Sequence, residues 1–154
     1  MMNDEKYMRL ALVQAHKAKR KDEVPVGAVI VCDGKVIAKA YNKREKTNDP
    51  LGHAELRTIK QASRKLKAWR LVNCDLYVTL EPCIMCAGAI MWSRFRRVVY
   101  GATDKKGGAL GGALNIFEEK AVNHIPEITG GVLAEEASLL LSDFFQKKRE
   151  TNKQ

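Results

Sequence analysis

The sequence predicts an α/β fold, a sheet with helices on both faces. Strands alternate with helices after an initial hairpin, and short β-branched runs give way to stretches with a 3.6-residue apolar period along the chain. Residues 4–21 place Tyr7, Met8, Ala11, Leu12, Ala15 and Ala18 on one helical stripe, with Asp4 as the expected N-cap. The β-branched runs 24–32 and 35–41 flank Asp33-Gly34, a dipeptide suited to the positive φ angles of a tight hairpin turn. The polar stretch 42–52 ends in Asn48-Asp49-Pro50-Leu51-Gly52 and reads as a loop that delivers a helix from 53 to about 66. Residues 76–80 form the next expected strand. Glu81-Pro82 breaks it, with Pro82 expected as the first residue of a helix running through Ala87, Ala89, Ile90 and Met91. A strand at 97–100, a glycine- and lysine-rich loop at 101–112 and a terminal helix at 134–149 complete the pattern. With 154 residues and neither an internal repeat nor a linker, one compact domain is expected.

The composition, 45% hydrophobic and 29% charged, is that of a soluble globular chain. No run approaches the ~18 apolar residues of a membrane span. The start, Met1-Met2-Asn3-Asp4-Glu5-Lys6, lacks the basic and then apolar segments of a signal peptide, so a cytoplasmic location is expected. That compartment keeps thiols reduced, and the close pair Cys83 and Cys86 then points to metal or catalysis rather than to a disulfide. Cys32 and Cys74, each in or beside an apolar run, read as small core residues. The net charge of +9 favours a polyanionic partner, nucleic acid included, without establishing one.

Chemistry concentrates in two short motifs. His53-Ala54-Glu55 stands 30 residues before Cys83 in Pro82-Cys83-Ile84-Met85-Cys86. One imidazole and two thiolates are good zinc donors, and three protein ligands leave the fourth tetrahedral position to water, as in a catalytic site. A helix start favours the thiolate form of Cys83 and Cys86. Zinc brings the pKa of bound water near neutrality, and Glu55 is the candidate to move protons from that water to the leaving group. Positions two apart on a helix do not share a face, so His53 and Glu55 converge only if His53 reaches in from the helix start. His-x-Glu followed by Pro-Cys-x-x-Cys is the signature of the zinc deaminases.

The run from Thr79-Leu80-Glu81-Pro82-Cys83 to Ile90, with Ser93-Arg94 and Val98-Val99-Tyr100-Gly101-Ala102, resembles the bacterial tRNA-specific adenosine deaminases. So do Glu23-Val24-Pro25-Val26-Gly27-Ala28, Trp69-Arg70-Leu71, Asn123-His124 and Asp143-Phe144-Phe145. The resemblance spans nearly the whole chain. It implies a three-layer cytidine deaminase-like fold with a mixed central sheet flanked by helices, a homodimer and one zinc ion per subunit. The substrate it implies is the tRNA anticodon stem-loop, with the wobble adenosine turned into the pocket and converted to inosine. By position His53, Cys83 and Cys86 would bind zinc and Glu55 would shuttle protons, while Asn42, Ala54 and Asn123 would contact the target nucleotide. Leu51-Gly52 stands where a small pair such as Thr-Ala is expected. For the RNA backbone the candidates are Arg94, beside Arg96 and Arg97, then Lys106 next to Lys105, and a basic tail of Lys147, Lys148, Arg149 and Lys153.

Two alternatives share parts of this pattern. A deaminase of free guanine, cytosine or cytidine would keep every metal-site residue. A closed, non-catalytic zinc module would add a fourth ligand from Cys74, Cys32, His16 or His124.

Overall fold

A two-residue alternation along the strands sorts the apolar side chains onto the two faces of one mixed sheet. The computed structural model describes residues 2–152. Helix α1 (Met2–Arg20) leads to the hairpin β1 (Gly27–Cys32) and β2 (Lys35–Tyr41). Then come α2 (Ala54–Leu66), β3 (Cys74–Leu80), α3 (Ile84–Ser93), β4 (Arg97–Ala102), β5 (Glu127–Thr129) and α4 (Ala134–Asn152). The spatial order is β2-β1-β3-β4-β5. β1 runs antiparallel to β2 and β3, whereas β3–β4 and β4–β5 are parallel.

Ala28 and Ile30 of β1, Leu76 and Val78 of β3 and Val98 of β4 pack with Ala54 and Ala62 of α2 and Ala87 and Ile90 of α3. Val29, Val31, Tyr77 and Val99 face the other way, onto Tyr7, Met8 and Ala11 of α1, and α4 joins that side through Ala137 and Leu140. The result is the three-layer α/β architecture the sequence predicts. Asp33 and Gly34 both take positive φ, 52° and 77°, as the tight hairpin requires.

Two expected helix starts are corrected. Helix α1 begins at Met2, so Asp4 lies inside its first turn rather than capping it. Its carboxylate instead takes both guanidinium Nη atoms of Arg97, each at 2.7 Å, and the Tyr77 hydroxyl at 2.9 Å. A partly buried guanidinium needs a counter-charge more than the helix end needs a cap. Helix α3 begins at Ile84, and Cys83, not Pro82, is its N-cap, with extended backbone at φ −75°, ψ 177°. Pro82 prolongs the exit from β3, where its carbonyl accepts from Ala109 N–H at 2.8 Å, and a residue without an N–H leaves no donor unpaired there. Strand β5 and a single 3₁₀ turn, Ile116–Glu118, fall between 112 and 134, where the sequence pattern predicts no element. Lys153 lies outside the described residues.

Candidate metal centre and active site

The expected ligands converge because two helices begin at the same point. His53 is the N-cap of α2, extended at φ −75°, ψ 147°, while Cys83 caps α3 and Cys86 lies within the first turn of α3. His53 stands off the helix while Glu55 occupies the second helical position, which is how residues two apart reach one pocket. The α2 start is held by Asn42, whose Oδ1 accepts the Ala54 N–H at 2.8 Å.

His53 Nδ1 lies 3.8 Å from Cys83 Sγ and 3.6 Å from Cys86 Sγ, and the three donor atoms all fall within 4.8 Å of one another. A tetrahedral zinc with its usual bond lengths separates a nitrogen and a sulfur ligand by about 3.6 Å, so the donor set fits that ion. Among the described residues no other His, Cys, Asp or Glu joins this cluster. Of the fourth ligands that a closed module would need, His124 Nε2 pairs with the Phe95 carbonyl at 2.8 Å, and Cys32 and Cys74 pair with each other across β1 and β3. His16 is exposed on α1.

The titration of the site follows from burial and mutual contact. Cys83 is lowered to about 4, first by a hydrogen bond from Cys86 and then by His53 against the cost of burial, which makes it a standing thiolate. Cys86 is pushed up by that same bond and by burial. His53 is raised by its bond to Cys83. Glu55, 4% exposed, is raised to about 7 by desolvation, with His53 and a Cys86 hydrogen bond working the other way. A carboxyl that can hold or release a proton near neutrality thus sits beside the donor trio.

Two buried carboxylates, Glu23 and Glu81, fix the loops on either side of the site. Glu23 accepts the backbone N–H groups of Arg44 and Glu45 on Oε1 and of Lys46 on Oε2, at 3.0–3.1 Å. This pins the loop that runs from Asn42 to His53. Burial opposes the charge on Glu23, but the bonds from Glu45, Lys46 and Arg44 win and hold its carboxyl below the usual range. Glu81 accepts from Asp104 at 3.0 Å, Leu110 at 2.9 Å and Gly112 at 2.8 Å. A Cβ at Gly108 or Gly112 would overlap that carboxyl, so both glycines are needed for the loop to close on it. Sequence reasoning assigned neither glutamate a role, although an acid inside the apolar runs Glu23-Val24-Pro25-Val26 and Leu80-Glu81-Pro82 is a signal for a buried acceptor. Gly52 has its own reason, since a Cβ there would meet the Lys43 carbonyl.

The remaining candidates are brought together unevenly. Asn42 is buried. Ala54 is also buried, with its N–H taken by Asn42 and its C=O by Thr58 Oγ1. Asn123 is exposed and accepts from Arg94 Nη1 at 2.6 Å, which commits Arg94 to orienting that loop. Arg96 and Arg97 are paired to Asp75 and Asp4, which withdraws them from the group proposed around Arg94. Lys106, Lys148 and Arg149 do converge, with Lys105 and Phe145, on a groove of about 900 Å³ between the 102–106 loop and α4. Lys148 also pairs with Asp22 at 2.6 Å, and Lys147 is exposed on the same helix.

A His-Cys-Cys donor set at two helix starts, with a buried glutamate beside it and a mixed sheet behind it, defines a deaminase, and the MafB19-like deaminase family model matches residues 2–149. Within that class the chain belongs to the tRNA-specific adenosine deaminase family. It is 48% identical over 153 residues to the tRNA-specific adenosine deaminase of Bacillus subtilis (strain 168), covering 99% of this chain and 95% of that one. A chain solved in structural studies of A-to-I editing by tRNA:A34 deaminases superposes with a TM-score of 0.84 at 45% identity, over 88% of this chain and 99% of that one. Guanine deaminase from Bacillus subtilis is more distant, with a TM-score of 0.63 at 32% identity over 95% and 93%. No helix among the described residues is long and apolar enough to cross a membrane.

Proposed function

We propose that this chain hydrolyses adenosine to inosine and ammonia at the wobble position of a tRNA anticodon. The observation that carries the reading is the buried Glu55 beside the His53, Cys83 and Cys86 trio, in a chain 48% identical to a tRNA-specific adenosine deaminase. Zinc held by those three residues would supply a Lewis acid that makes water nucleophilic at neutral pH. Glu55 has three proton tasks. It takes one proton from water as oxygen bonds to C6 and places it on N1, and it then passes the remaining proton of the C6 hydroxyl to the amine as the C6–N bond breaks and the carbonyl forms. Its burial suits it to this work, because an ordinary exposed carboxylate would hold the proton too weakly.

A single-stranded loop adenosine reaches such a pocket by splaying from its stack, without the cost of opening a duplex. Asn42 Oδ1 is committed to the α2 start, so its amide Nδ2 is the group it offers the nucleotide. Ala54 contributes close packing, and Asn123 acts from a loop tied to Arg94. The basic groove beside α4, with Lys106, Lys148 and Arg149, is the proposed backbone contact, and Lys147, exposed on the same helix outside that groove, is a further candidate. The exposed Trp69, Ile84 and Trp92 support a homodimer, and each subunit would hold one zinc ion on His53, Cys83 and Cys86. The reading treats the chain as one deaminase domain acting in the cytoplasm, where its substrate is found.

Glu55→Ala tests it. Zinc content and stem-loop affinity should stay at wild-type levels while turnover drops by at least about 10²-fold. Near-normal turnover in that variant would remove Glu55 from the mechanism.

A further inference from the structure

We infer that Cys32 and Cys74 are a disulfide-forming site that can staple β1 to β3 at the end of the sheet opposite the metal ligands. Cys32 stands directly across from Cys74 in the antiparallel register. The Cys74 N–H donates to the Leu71 carbonyl, and its own carbonyl accepts from Arg96 N–H. Neither main-chain group therefore points to β1, which makes the two cysteines a non-hydrogen-bonded pair. Such pairs hold their Cα atoms about 4.5 Å apart and bring their side chains closest, inside the range a disulfide spans. Both thiols lie on the α2 and α3 face, Cys74 in the core and Cys32 half-buried against it.

The surroundings assign an order to the chemistry. Burial first, and then the bond with Cys32, push Cys74 up to about 12, so Cys74 does not react first. Cys32 is the half-buried member of the pair, so it is the thiol that meets an oxidant first. With a low-molecular-weight disulfide RSSR as oxidant, Cys32 sulfur attacks one sulfur and expels a first thiol, leaving Cys32 as the mixed disulfide. Cys74 sulfur then attacks Cys32 sulfur, the protein S–S bond forms, and a second thiol leaves. Both cysteine protons end on the two RSH molecules, and the two electrons lost by the cysteines reduce RSSR. In a reducing compartment the bond would form only under oxidative load.

Oxidised glutathione on the zinc-loaded full chain, followed by thiol trapping and a non-reducing digest, is the test. The expected result is loss of two hydrogens and a single Cys32–Cys74 cross-linked peptide, with Cys83 and Cys86 unmodified. Turnover should stay at its reduced level, and Tm should rise by roughly 5–10 °C, reversed by dithiothreitol. Cys32→Ser, at the half-buried position, should fold normally and lose both the cross-link and the Tm rise. A stable glutathione adduct on Cys32, a Cys83–Cys86 bond in place of the expected one, or an unreacted pair would each overturn the assignment.

Discussion

Substituting Glu81 by alanine or by glutamine is expected to loosen the glycine-rich loop without touching a metal ligand. The carboxylate accepts three backbone N–H groups, from Asp104, Leu110 and Gly112, and is 2% exposed. Alanine removes both oxygens and leaves all three N–H donors without their acceptor. The Leu110 N–H is then stranded in the interior at about 1–3 kcal/mol, while Asp104 and Gly112 recover part of their loss from water. Adding the cavity, Glu81→Ala should cost about 3–5 kcal/mol, a fall in Tm of roughly 10 °C. Glutamine keeps one oxygen but turns an amide donor toward backbone donors, so Glu81→Gln should cost about 2–4 kcal/mol. Differential scanning calorimetry gives the order, and hydrogen exchange at Leu110 and Gly112 locates it. Because Asp104, Lys105 and Lys106 line the groove beside α4, KM for a stem-loop should rise in both variants. If both melt within about 1 °C of wild type, with unchanged exchange at those two amides, Glu81 does not clamp this loop.

Three further outcomes are expected. Changing Lys147, Lys148 and Arg149 together to glutamine should weaken stem-loop binding and flatten its log K against log salt slope by about 0.7–0.9 per lost phosphate contact. An unaltered slope would move the RNA backbone elsewhere. Asp4 is held below the usual carboxylate range first by its bond from Arg97, so its stabilisation is complete above the unfolded value near 4 and is lost as pH falls through the folded one. Asp4→Asn should therefore be less stable at pH 7, and its urea midpoint should converge on that of wild type as pH falls below the unfolded value. Parallel loss in the two proteins would show that the Asp4–Arg97 pair contributes nothing to acid sensitivity. Removing zinc with a chelator should abolish turnover, and zinc should restore it. Full activity in metal-free protein would contradict the assigned ligands.

The layered fold was legible because short β-branched runs bounded by turn residues mark the strands, and β1 is apolar on both faces. Val29 and Val31 go to one face and Ala28 and Ile30 to the other, and Asp33-Gly34 has the chemistry its turn needs. The metal trio was legible because ligand type and spacing are local. Where the structure departs from expectation, long-range pairing decides. Nothing near Asp4 in the sequence announces Arg97 as its partner, and that pair overrides the cap. Strand β5 has three residues, too few to show a period, and exists because Arg97–Val99 offers it an open parallel edge. The roles of Glu23 and Glu81 depend on loops folding back over 21 to 31 positions, a relation no local window contains. Arg96 and Arg97 looked like phosphate contacts by adjacency, and the structure gives each a carboxylate.

The most direct measurement is inosine formation, followed by nucleoside mass spectrometry, in an anticodon stem-loop bearing a wobble adenosine, with free adenosine, guanine and cytidine assayed alongside. Inosine from the stem-loop alone, absent with Glu55→Ala, is the predicted result. Turnover of a free base or nucleoside with no inosine in the RNA would contradict the reading and place the chain with deaminases of small metabolites.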